Sequence, residues 1–124
     1  MTSSECYIEI VEDVEEFEAI RTQQKEADWQ TGRNNPRHGL PEPPGKSPQY
    51  FWLPFVERWA TERNLQIDCV DSAWIRVPVS RAQVQQFLEE VFGTAPESPV
   101  AGLLAKVINH FRNDKTYVIA VVEF

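Results

Sequence analysis

Residues 65–80 read Leu-Gln-Ile-Asp-Cys-Val-Asp-Ser-Ala-Trp-Ile-Arg-Val-Pro-Val-Ser, and their two-residue period decides the fold class. Leu65, Ile67 and Cys69 share one parity, and Ile75, Val77 and Val79 share another. Alternation of this kind is the mark of strands with one face turned to a core. Asp71-Ser72 supplies a turn signal between them. A hairpin is therefore predicted from Leu65–Val70 and Trp74–Val79. Cys69 is expected inside, Asp68 toward water, and Asp71 in the turn. Pro78 cannot donate to a ladder, so its strand end belongs at an edge or a bulge.

Helices follow on both sides of the hairpin. Ser80-Arg81-Ala82-Gln83 has the S-x-x-Q form of a capping box. Val84, Phe87, Leu88 and Val91 fall behind it at helical spacing, and Gly93 stops the helix. Ser98-Pro99 opens a further helix, whose stripe is Val100, Leu103, Leu104, Val107, Ile108 and Phe111. His110 borders that stripe. Upstream, Pro54 suits the first turn of a helix better than its interior, which places a helix at about 54–64 ending at Asn64, with residues 49–53 as an extended aromatic lead-in. The alternative is a kinked helix starting at Ser47-Pro48.

The two ends of the chain are strands. Cys6 to Val11 alternates Ile8 and Ile10 with Tyr7 and Glu9. Lys115 to Phe124 is a near-continuous β-branched run, which reads as a strand buried on both faces or a central one covered by helices. After the first strand, Asp13 and Glu16 have capping-box spacing, and a helix begins near residue 14. Val14, Phe17, Ile20 and Gln24 fall on its inner side, with Glu15, Glu18, Thr22 and Glu26 facing solvent.

Residues 30–48 contain five prolines and three glycines, so no regular element is expected there. Loops of that length inside a domain are usually functional or disordered. The resulting order is β, α, loop, α, β, β, α, α, β. It resembles the ferredoxin-like arrangement, β-α-α-β-β-α-α-β once each helical pair is counted. The expectation is one α+β domain over residues 1–124. It would be a two-layer structure with a four-stranded, mainly antiparallel sheet and all helices on one face. That ordering sets the first and last strands side by side in the middle and the hairpin strands apart. Cys6 and Cys69 then lie on separate strands as buried free thiols.

Composition bounds the function. The chain has 124 residues, 42% apolar and 25% charged, which suffices for a core without disulfides or metals. No apolar run reaches the length of a membrane span. An acidic amino-terminal region is neither a signal nor a transit peptide, and the cysteine usage fits a reducing cytoplasm. The net charge of −7 argues against a basic nucleic-acid-binding face. Residues 1–28 hold nine acids and two bases, while the remaining residues hold ten of each, so the whole net charge lies in the first 28 residues.

The chain lacks G-x-G-x-x-G, a P-loop, H-E-x-x-H and G-x-S-x-G, and the two cysteines have no zinc-type spacing. No catalytic residue, cofactor or metal is assigned, because an exposed carboxylate is a poor general acid at neutral pH. Catalysis is the minority reading. The leading expectation is a small acidic inhibitor. Its front (Glu9, Glu12, Glu15, Glu16, Glu18 and Glu26) would meet a basic protein such as a nuclease or toxin, by steering and complementarity. In composition alone this is similar to small immunity proteins and antitoxins. Phe51 and Trp52 are candidate interface anchors, since aromatics are enriched at hot spots. They also suit an accessory subunit whose partner covers residues 50–55. A different reading has the loop close on a small anion through Arg33, Arg37, His38 and Lys46.

Overall fold

A computed structural model describes residues 4–12, 14–22, 36–71 and 73–123, except the side chains of residues 16, 20, 22 and 71. The elements are β1 (Ser4–Ile10), α1 (Val14–Thr22), β2 (Arg37–Gly39), α2 (Pro48–Glu62), β3 (Asp68–Asp71), β4 (Trp74–Val79), α3 (Arg81–Phe92), α4 (Ala101–Asn109) and β5 (Tyr117–Glu123). The strands form one open antiparallel sheet in the order β2-β1-β5-β4-β3. The α+β class stands, with five strands in place of four.

Strand order departs from the expected pattern. The first and last strands are neighbours as anticipated, but the hairpin strands β3 and β4 stay paired at one edge. β5 inserts between β1 and β4 and contacts both along its length. Its β-branched run explains this: Tyr117 through Val122 are buried on both faces, which only an interior strand allows. Pro78 pairs with Val118 of β5 at a level beyond the last β3 partner, Arg76, so its missing N–H disrupts no ladder on that side. The irregularity expected in the hairpin falls on β3, between Cys69 and Asp71.

The helices occupy two faces, not one. Cys6, Ile8, Ile75, Val77, Val79, Tyr117, Ile119 and Val121 form a core with Trp52, Val56, Trp59, Phe87, Leu88, Leu104 and Val107 of α2, α3 and α4. On the opposite face, Tyr7, Val70, Trp74, Val118, Ala120 and Val122 cluster with Val11 and with Phe17 of α1. A sheet whose central strand is apolar on both sides needs cover on both sides, and α1 provides it on the second.

Local signals account for both ends of α3 and for the end of α2. Ser80 and Gln83 form the reciprocal capping box of α3, and Gly93 ends that helix with φ of 78°. Asn64 takes a left-handed conformation after α2, with the Leu65 N–H donating to the Ala60 carbonyl at 2.9 Å. Arg81 of α3 donates to the Val107 and Ile108 carbonyls at 2.9 and 3.0 Å, capping the last turn of α4 from a neighbouring helix.

Three expectations on these elements are corrected. α2 begins at Pro48, so residues 49–53 are helical and Pro54 lies inside the helix. Buried Trp52, Val56, Trp59 and Ala60 recur at helical spacing, and their packing offsets the cost of an interior proline, roughly 3 kcal/mol for the lost bond and the ring clash together. A strand, β2, lies within the segment expected to be irregular, held by the β1 ladder and by Leu40 N–H donating to the Cys6 carbonyl. α4 starts at Ala101, after a turn at Ser98-Pro99.

Candidate functional site

Strand alternation and helical phase distribute the sequence-predicted residues unevenly. Glu12, Glu15 and Glu18 are exposed along α1 and its approach. Glu5, on the sheet face that α1 covers, is exposed too. Arg21 meets Glu18 at 3.5 Å but makes its shorter contact, 3.0 Å, with Asp68. Asp68 is therefore buried beside α1 instead of facing water, and Cys69 is the exposed residue of the pair. The side chain of Glu16, and Asp13, Glu26, Trp29 and Arg33 entirely, lie outside the described residues.

Glu9 does not belong to the exposed front. It is 0% exposed and accepts from Arg76 Nη2 at 2.8 Å, with Arg76 also 0% exposed. The sequence reading turned Glu9 outward because it took the second sheet face to be wet. α1 closes that face, and a buried carboxylate then needs a charge partner.

The loop cations do not converge. Arg37 and His38 are consecutive strand residues and point to opposite faces. The Arg37 guanidinium lies 5.2 Å from the Tyr7 ring centre on the α1 side. His38 lies on the other side, 6.1 Å from the Phe111 ring, and burial followed by the nearby Lys106 charge pulls its pKa down. Lys46 lines a separate open groove with Glu42, Pro43, Gly45 and Ser47. His110 is exposed at the end of α4. Trp52 is buried against Phe87 and Phe92, at ring separations of 6.3 and 6.2 Å, so it is a core residue and not an exposed anchor. Phe51 is half-buried and stacks on Phe55.

Sequence reasoning missed the polar cluster under α1. Tyr7, Ala120 and Arg76 lie in one row across β1, β5 and β4, with Asp68 beyond Arg76. The Arg76 guanidinium sits 5.1 Å from the Phe17 ring centre and 5.8 Å from that of Trp74. Two aromatic faces and one carboxylate thus hold its charge. Opposite charges at the centres of two strands, Glu9 and Arg76, were the available signal.

Burial pushes the Tyr7 hydroxyl up to about 12; Arg37 and Arg76 pull it back, as does the Trp74 indole N–H, while Glu9 adds to the rise. A tyrosine whose folded pKa exceeds its unfolded value, near 10, stabilises the fold fully below that value. The contribution is lost as pH rises toward 12. Denaturant unfolding from pH 9 to 12 is expected to show an alkaline loss of about 2 kcal/mol in the native chain that is missing from Tyr7→Phe. Parallel curves for the two proteins would contradict this placement.

Among the described residues, no cluster of three or more His, Cys, Asp or Glu side chains could hold a metal, and no helix is long and apolar enough to cross a membrane. Compared with known proteins, the chain matches no family model, no curated protein and no solved structure.

Proposed function

We propose that the protein is a binding protein, an inhibitor of the immunity or antitoxin kind, that docks a basic macromolecule such as a nuclease through its α1 face. One observation carries the reading. α1 stands on the sheet face opposite the other three helices and turns Glu15 and Glu18 to solvent, with Glu12 exposed just before it and Glu5 exposed on the same face of the sheet. The inward contacts are made by Phe17 and by Arg21 on buried Asp68, and the exposed Glu12, Glu15 and Glu18 give the outward surface its acidic character. Such a surface speeds association with a cationic partner and makes the rate sensitive to salt. The split of Arg37 and His38 across the sheet counts against the reading in which the loop grips an anion. The proposal is of binding and not of catalysis.

The test is capture from lysate of the source cell with the native chain and with Glu12→Lys/Glu15→Lys/Glu18→Lys. These are surface changes, and the variant is expected to melt near the native chain. A basic protein retained by the native chain at low salt, released as salt rises and missing from the variant is the expected result. The same proteins on both, or an acidic partner on the native chain, would refute the proposal.

A further inference from the structure

Buried hydrogen-bond donors collect under α1 without partners among the described residues: Arg76 Nε and Nη1, the Trp74 indole Nε1 and the Tyr7 hydroxyl. We propose that these groups form a binding site for a small carboxylate, seated over Ala120 beneath α1. Tyr7 and Arg76 are the two cross-strand neighbours of Ala120, whose methyl is far smaller than either of them. Trp74 lies one pleat along β4 from Arg76, on the same face. The hydroxyl of Tyr7 is within electrostatic reach of Arg76, and the Trp74 indole approaches it without reaching hydrogen-bond geometry.

The chemistry of the set selects the ligand. Buried donors left unpaired cost stability, and nearly all such groups in folded proteins have a partner. Indole and guanidinium donate only, and the Tyr7 hydroxyl is the one amphoteric member. A water molecule would satisfy some of these donors, with the neighbouring Glu9 carboxylate as an acceptor for its O–H, but it brings no charge to meet the guanidinium. A carboxylate brings acceptors alone and pairs strongly with a guanidinium. Glu9 already places one negative charge on Arg76, which disfavours a dianion such as phosphate. Phe17 covers Arg76, so loading requires α1 to lift, and exchange is slow.

The assignment is independent of the acidic-face proposal and is tested on the whole chain. Sodium acetate and sodium formate are titrated against chloride at constant ionic strength, with the indole N–H resonances and the melting temperature as readouts. One indole resonance, identified by its loss in Trp74→Phe, is expected to give way saturably to a downfield one, and the melting temperature to rise. Tyr7→Phe, which keeps the ring and removes one hydroxyl, is expected to weaken the apparent affinity about fivefold. No saturable change with acetate or formate, an affinity unaltered by Tyr7→Phe, or tighter binding of inorganic phosphate than of acetate would each overturn the proposal.

Discussion

Arg76→Met is expected to lower stability by about 3–5 kcal/mol, a fall in melting temperature of roughly 10–20 °C. The cause is the buried charge left behind and not the apolar volume, which methionine largely replaces. Arg76 and Glu9 are both fully buried and lie 67 residues apart in the chain, joined across β5 at 2.8 Å. Removing the guanidinium strips the Glu9 carboxylate of that counter-charge in a place water does not reach. It also withdraws the cation from the Phe17 and Trp74 rings, and with it part of what seats α1 on the sheet. Adding Glu9→Leu to Arg76→Met is expected to restore most of the loss, because paired removal of buried charges is often neutral. Urea unfolding of the two singles and the double forms the cycle that isolates the coupling. A loss below about 1 kcal/mol for Arg76→Met would mean that the pair is solvated, since exposed pairs are worth no more than that.

Trp52→Ala is expected to cost a comparable amount, about 3–5 kcal/mol, through the cavity it leaves. Trp52 is 1% exposed and fills the space between α2 and α3 against Phe87 and Phe92. It also lies in the part of α2 upstream of Pro54, where the helix forgoes a backbone bond. Its packing holds those first turns in place, so hydrogen exchange in Trp52→Ala should accelerate between Pro48 and Leu53 ahead of the rest of α2. Uniform acceleration along the helix would place the support elsewhere. The acidic face of α1 is on the far side of the sheet, and salt-sensitive binding should survive the substitution wherever the protein remains folded.

Legibility in the sequence followed the kind of interaction involved. The hairpin, the Ser80 capping box and the left-handed Asn64 were readable because local chemistry sets them, through turn residues, side-chain caps and a two-residue period. The burial of β5 on both faces was readable for the same reason. Its consequence, helices on both faces, was not drawn, and the misplacement of Glu9 and Asp68 follows from that single step. With α1 on the second face, both acids become buried and take Arg76 and Arg21 as partners. β2 was invisible because its three residues, Arg-His-Gly, show no apolar period, and the ladder that holds them uses backbone groups any sequence supplies. The start of α2 was hidden by Pro54, whose local penalty tertiary packing overrides. The polar cluster of Tyr7, Trp74 and Arg76 needed the register across three strands, which no local pattern encodes.

The charge asymmetry remains the feature that links sequence to proposed function. Once Glu9 is set aside, Glu12 before α1 and Glu15 and Glu18 on it are still exposed, and the pairing of Arg21 with buried Asp68 leaves that cation partly engaged inward. The most direct measurement is the association rate of the native chain with its captured basic partner, followed by stopped flow across a series of ionic strengths. The account predicts a rate that falls steeply with salt for the native chain, by tenfold or more over the screening range, and a slow, nearly salt-independent rate for Glu12→Lys/Glu15→Lys/Glu18→Lys. Superimposable salt profiles for the two proteins would show that the α1 carboxylates do not guide the encounter, and would contradict it.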